Sequence, residues 1–291
     1  MKHLVTIVCV GLVGGLFAGE RTAWAWEQSQ TCYDALMDCQ EGLEPLPTAW
    51  EKPCISIYLN ENGTSQMPFD TVHSIVESAV LAWNHPDVSS LGMHFSGLTN
   101  ETRVGYNPYT SRNANIIIFR DDAWHEDPSI MALTSVTYRN SSGQIYDADM
   151  EINTYLYDFG VVSPRNERDV IDLQNTITHE LGHVAGLDHS DVSTATMYPY
   201  STGGVTYMQT LDADDLEAIG TIYPPGDAAS CQFHDAYFEK PDCDMDKPCG
   251  SDGVCSVKMH QGAKKPFLAL AIVLFALILT SVIRRYVART P

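Results

Sequence analysis

Ile55, Ile57 and Leu59 alternate with polar neighbours within residues 50–60, a period of two that predicts a strand with one buried face. Over residues 69–83 the apolar positions change to helical spacing, with Val72, Ile75, Val76, Val80 and Trp83 on one stripe, and predict an amphipathic helix. Residues 114–119, Ala-Asn-Ile-Ile-Ile-Phe, form a short β-branched run that suits a buried central strand. Residues 132–138 and 146–152 alternate on either side of Asn140-Ser141-Ser142-Gly143 and predict a hairpin. Residues 211–223 set Leu216, Ile219, Ile222 and Tyr223 on one stripe behind Asp214-Asp215, a closing helix whose acidic start suits the positive end of its dipole. This order of elements predicts an α+β domain, a twisted mixed sheet backed by two to three helices.

Candidate chemistry is concentrated in residues 179–189, His-Glu-Leu-Gly-His-Val-Ala-Gly-Leu-Asp-His, the pattern HExxHxxGxxH. On a helix His179 and His183 are four apart and share a face, so both imidazoles reach one metal while Glu180 projects beside them. Gly186 can take the left-handed conformation that ends the helix and turns the chain back, which brings His189 to the same ion. Three protein ligands leave one position on a zinc ion for water, whose proton Glu180 can accept as the water attacks a polarised carbonyl. A lone histidine is more often an ordinary surface or core residue. Three histidines and a glutamate around one buried turn would carry an uncompensated desolvation cost unless a metal joined them.

The motif, followed by Ser190 and by Ala195-Thr196-Met197-Tyr198-Pro199, resembles the metzincin clan of zinc metallopeptidases and, within it, the matrixins. The resemblance extends over about residues 50–224 and implies a zinc in a cleft below an edge strand, with Met197 as the apolar floor beneath the histidines. Pro199 stands where some relatives have a zinc-binding tyrosine, so no fifth protein ligand is expected. Tyr198, Pro199 and Tyr200 resemble the wall of the pocket that receives the side chain after the scissile bond. Residues 132–138 are expected to be the edge strand, which would bind an extended protein or peptide substrate by strand addition.

Several features depart from animal matrixins. His125-Glu126-Asp127 matches part of their structural zinc site, but the later strands carry no histidine, so no second zinc is expected. Asp147, Asp149 and Glu151 share one strand face at period two and offer hard oxygen ligands for calcium; a solvated acidic face is the alternative. No Pro-Arg-Cys-Gly latency stretch is present. Cys32 or Cys39 as a metal cap is an alternative to a disulfide there. The absence of a long prodomain resembles bacterial matrixin-like proteins.

Targeting signals change the picture of the whole chain. Residues 1–25 read as a signal peptide: Lys2 and His3 precede an apolar stretch that ends in Ala23-Trp24-Ala25. Residues 26–49 form a short cysteine-containing segment, residues 50–226 the peptidase domain, and residues 227–265 a Cys-rich stalk module with Cys231, Cys243, Cys249 and Cys255. Residues 266–283 have the length and apolarity of a transmembrane helix, and residues 284–291 form a short basic cytoplasmic tail. The expected location is therefore exported and membrane-anchored, with the catalytic domain at the cell surface or in the periplasm. A trimmed C-terminal sorting signal is the alternative. A net charge of −20 argues against a nucleic-acid partner.

The reading that follows is a zinc-dependent endopeptidase with Glu180 as catalytic base, acting on extracellular or periplasmic proteins. Two alternatives stand beside it. One is a surface-anchored zinc-containing binding or adhesion protein without significant turnover; the other is an enzyme whose only substrate is its own N-terminal segment.

Overall fold

The computed structural model describes residues 25–31, 44–107, 109, 113–163, 170–226 and 254–263. Its strands are β1 (Cys54–Asn60), β2 (Gly92–Thr99), β3 (Asn115–Phe119), β4 (Ile130–Arg139), β5 (Ile145–Ile152), β6 (Phe159–Gly160), β7 (Ile171–Asp172), β8 (Tyr200–Ser201) and β9 (Val254–Ala263). Its helices are α1 (Phe69–Ala82), α2 (Leu173–Val184) and α3 (Ala213–Ile222). Seven strands form one mixed sheet in the order β2-β1-β3-β5-β4-β9-β8, and β6 and β7 pair separately. The expected α+β architecture with three helices is thus present.

Each predicted element has a plain physical origin. Ile55, Ile57 and Leu59 of β1 are buried, and parallel neighbours flank the strand on both sides. All five residues of β3 are buried, as an apolar run at the centre of a parallel sheet must be. α1 carries Asp70 in its first turn and buries Val72, Ile75, Val76, Ala79 and Val80. It ends at Trp83, fully buried, whose indole N–H donates to Thr178 O at 2.8 Å and so ties α1 to the middle of α2. β4 and β5 form the expected antiparallel hairpin. Gly143 in its turn has a φ of 70°, where an added Cβ would strike the Pro47 carbonyl. β2 has no counterpart in the predicted pattern. Its sequence, Gly-Met-His-Phe-Ser-Gly-Leu-Thr, neither alternates cleanly nor runs apolar, and its strand state comes from pairing along β1.

One expectation about the sheet is corrected. β4 is not an edge strand: β9 lies antiparallel along it from Ile130 to Arg139 and pairs parallel with β8 at Tyr200 and Ser201. Residues 254–263, the end of the expected stalk module, thus pair into this sheet, since an unpaired row of β4 amides and carbonyls is a template for any extended segment within reach. Residues 227–253, with the other three cysteines of that module, lie outside the described residues. So do the signal stretch up to residue 24, residues 32–43 of the cysteine-containing segment and the apolar run at 266–283. Among the described residues no helix is long and apolar enough to cross a membrane.

The acidic row on β5, expected to offer oxygen ligands for calcium, is enclosed and divided among different partners in the structure. Asp147 and Asp149 are buried, and Asp149 accepts the Ile116 N–H at 3.1 Å and the Gly105 N–H at 2.6 Å. Glu151 instead pairs with Arg120 at 2.7 Å. The three carboxylates do not gather as a ligand cluster among the described residues, because backbone donors and Arg120 engage two of them separately. Burial, and then the adjacent Asp149 charge, hold the Asp147 carboxyl well above the usual carboxylate range. Burial raises Asp149 to about 6, with the Gly105 and Ile116 amides pulling the other way.

Both groups bind protons more tightly folded than unfolded, so stability is greatest below the unfolded pKa and falls as pH rises through the folded values. Asp147→Asn removes one of these buried charges. It is expected to raise the thermal midpoint at pH 7.5 by about 3 °C or more and to change it little at pH 4, as read by calorimetry. An equal gain at both pH values would rule out a titrating Asp147.

Candidate active site

α2 forms where Asp172 caps a helix, its carboxylate accepting the Asn175 N–H at 2.9 Å. Leu173, Ile177, Leu181 and Val184 face the core, yet His179, Glu180 and His183 have no exposed surface either. The helix is enclosed on all sides, so every polar group on it needs a partner. Its end is fixed by two aromatic residues that also bond each other. The Trp50 indole donates to Val184 O at 2.7 Å, the Tyr223 hydroxyl donates to Ala185 O at 2.6 Å, and that hydroxyl accepts the Trp50 N–H at 3.1 Å. Gly186 then turns the chain at φ 91°, with the Thr48 carbonyl 2.7 Å from where a Cβ would lie. Both the dihedral and the contact require glycine.

This turn brings the three predicted histidines together. Their ring centroids are 4.9 to 5.4 Å apart, and one ligand atom from each lies within 4.8 Å of the others. His179 Nδ1 donates to Thr196 O at 2.6 Å and His183 Nδ1 donates to Leu187 O at 2.9 Å. A carbonyl can only accept, so Nδ1 carries a proton in both rings, and Nε2 is the nitrogen left to ligate a metal. His189 lies beside Asp188, with 3.8 Å between its Nδ1 and the carboxylate. Three neutral imidazoles with their remote nitrogens oriented in this way fit a zinc ion.

The floor under the triad is Met197, fully buried. Asp215 holds it there, accepting the Thr196 N–H at 2.8 Å and the Met197 N–H at 3.0 Å, while also closing a capping box with Asp212 at the start of α3. A Cβ on Gly182 would collide with Met197 Sδ and come within 2.9 Å of Trp83. The glycine inside the motif is therefore the seat of the methionine. Neighbouring Asp214 accepts the Ser190 hydroxyl at 2.6 Å and the Ala25 N–H at 2.9 Å. Through Ser29 N–H to Gly186 O and Asp188 N–H to Glu27 O, the segment before the domain also packs along the zinc-binding turn.

Glu180 is held from the sheet side. One oxygen accepts the Thr134 hydroxyl at 2.5 Å, and the other accepts the backbone N–H of Gln261 at 3.1 Å. Burial pushes the carboxyl up to about 8, against these two hydrogen bonds, which act to lower it. Tyr198 and Pro199 are half-buried beyond Met197, and Tyr200 begins β8 on the far side of β9 from β4. The sequence reading missed Thr134, Gly182, Asp215 as an anchor of the methionine turn, and Gln261. Gly182 stood in the motif as an unspecified position, and the other three act across long separations that leave no local pattern.

Gly182→Ala is expected to destabilise the fold by roughly 1–3 kcal/mol through overpacking and to weaken zinc retention. Calorimetry and metal content of the purified variant check this, and an unchanged melting curve with full zinc would show that Met197 does not rest on this glycine.

Comparison with known proteins agrees with this geometry. The matrixin family profile matches residues 49–224. The chain is 47% identical over 53 residues to karilysin of Tannerella forsythia, covering 18% of this chain and 11% of karilysin. It is 43% identical over 61 residues to metalloendoproteinase 5-MMP of Arabidopsis thaliana, covering 20% and 17% of the two chains. A longer match, 27% identical over 192 residues, joins it to matrix metalloproteinase-C of Caenorhabditis elegans and covers 64% of this chain and 30% of that protein. Less than a third of each of these relatives is therefore spanned. Matrixins use catalytic zinc and structural calcium, and the triad of His179, His183 and His189 fits the zinc. With its profile match over more than half of the sequence and this triad at its centre, the chain belongs to the matrixin family.

Proposed function

We propose that the chain is a zinc-dependent endopeptidase that hydrolyses peptide bonds of extracellular or periplasmic proteins. The observation that carries this reading is Glu180, a wholly buried carboxyl fixed by Thr134 beside three histidines oriented for one metal. Bound zinc would supply a Lewis acid that polarises the scissile carbonyl and acidifies the attacking water. Glu180 accepts the proton of that water and returns it to the leaving nitrogen. Burial raises this carboxyl above the ordinary carboxylate range, which favours its return of the proton to the leaving nitrogen. Thr134 keeps the carboxylate from rotating away from the metal side. β4 and β8 flank a slot one strand wide, which supports an extended peptide substrate held by its main chain, with Tyr198, Pro199 and Tyr200 beside the slot.

The proposed location is outside the cytoplasm, anchored through the apolar run at residues 266–283. The signal-like residues 1–25 support export, as does Cys54, which is disulfide-bonded, since disulfides persist in oxidising compartments.

Glu180→Ala is expected to keep stoichiometric zinc while turnover of a peptide library falls by about 10²–10⁴, the usual contribution of a positioned acid–base group. Full activity in this variant would overturn the mechanism; zinc without cleavage in the native chain as well would favour the binding-protein reading. Thr134→Val removes a hydrogen bond to the ionised carboxylate, so the Glu180 pKa rises and the acid limb of the pH profile moves upward by on the order of one pH unit. A profile that does not move would remove Thr134 from this role.

A further inference from the structure

β9 lies between β4 and β8, in the place where a peptide substrate of the proposed enzyme would lie. Nine residues, Val254 to Gly262, pair antiparallel with β4, with Ala132 opposite Gln261 and Thr134 opposite Met259, and the last two of the strand run parallel to β8. Met259 and Gln261 are both buried. One contact separates this strand from an ordinary member of the sheet. The backbone N–H of Gln261 donates to Glu180 Oε1 at 3.1 Å, and that nitrogen belongs to the peptide bond that joins His260 to Gln261.

We infer that residues 254–263 are a substrate of this active site in cis, bound in cleavage register, and that the His260–Gln261 bond is the one cut. The inference rests on the peptidase reading above. A group that protonates a leaving nitrogen must lie within about 2.6–3.2 Å of it, and Glu180 meets that condition at Gln261. The Gln261 side chain has no exposed surface, yet neither its amide oxygen nor its amide nitrogen has a hydrogen-bond partner. A permanent core residue rarely leaves two such groups unpaired, because each then loses its hydration without a replacement. A segment that leaves the cleft after cleavage carries that loss only while it is bound.

The step balances without an added oxidant or reductant. Water adds its oxygen to the carbonyl carbon of His260, and the bond from that carbon to the Gln261 nitrogen breaks. Glu180 takes the proton of the water and passes it to the leaving nitrogen. His260 becomes a C-terminal carboxylate and Gln261 an N-terminal ammonium, which takes up the second proton of the water. The cut separates the catalytic domain from the apolar run that follows Lys264 and Lys265, and it frees the β4 rim for other peptides.

The test uses the full chain in detergent with zinc, followed by mass spectrometry of its termini. The expected product ends at His260, forms at a rate independent of protein concentration, and is absent from Glu180→Ala. Gln261→Pro removes the donated N–H, so this cut is lost, while hydrolysis of an added peptide library rises at least tenfold as the cleft opens. Met259→Asp serves as a second means of expelling the strand. In the uncut Glu180→Ala chain, the amides of residues 130–139 are expected to be protected from hydrogen exchange, and to lose that protection when Gln261→Pro or Met259→Asp is added. Library hydrolysis that depends on Glu180 but is never accompanied by an end at His260 overturns the inference and leaves the peptidase reading intact. Rim protection that Met259→Asp and Gln261→Pro both leave unchanged likewise overturns it. Failure of both strand-expelling variants to hydrolyse any library peptide, with zinc and fold retained, overturns the peptidase reading itself.

Discussion

Everything around α2 follows from the burial of His179, Glu180 and His183 on a helix with no exposed face. Groups of this kind leave water only if each finds a partner, because an unpaired polar atom in the interior costs more than a formed hydrogen bond returns. The histidines spend their near nitrogens on the carbonyls of Thr196 and Leu187, which leaves their far nitrogens for a metal. Glu180 draws its partners from β4 and β9. Helix, methionine turn and sheet are thus held at fixed distances by the needs of three side chains.

The supports of these partners come from distant parts of the chain. Asp215, at the start of α3, orients the turn that presents Thr196 O and Met197. Trp50 and Tyr223 close the end of α2, and Trp83 fastens its middle to α1. Gly182 and Gly186 are the places where two such layers come too close for a side chain. Such a framework limits the motion of the three imidazoles, and a metal site is only as well defined as the groups that orient its ligands.

The order of the sheet has a functional consequence of its own. A rim strand beside an active site must offer unpaired backbone groups to bind a peptide, and the same groups capture any extended segment of their own chain. Here β9 satisfies β4 along its length. Access to the cleft and the fate of residues 254–263 are therefore one question.

Much of the architecture was legible from the sequence because its signals are local. The alternation in β1, the helical stripe of α1, the apolar run of β3, the β4–β5 hairpin and the stripe of α3 each depend on neighbours within a turn or a strand. The zinc triad was legible for the same reason: four residues of helix and one glycine bring His179, His183 and His189 together within eleven positions. The acidic row on β5 was read correctly as one face of a strand, but its ligand role was not decided by period two, since Arg120 and the amides of Gly105 and Ile116 come from elsewhere. Thr134 above Glu180, Asp215 under the methionine turn and β9 along β4 join residues 18 to 132 positions apart, and no pattern along a chain records such pairings. Local spacing determined which residues could hold a metal and move a proton; tertiary packing decided what orients them and what lies in their cleft, because hydrogen bonds between distant segments form only once the chain has closed on itself.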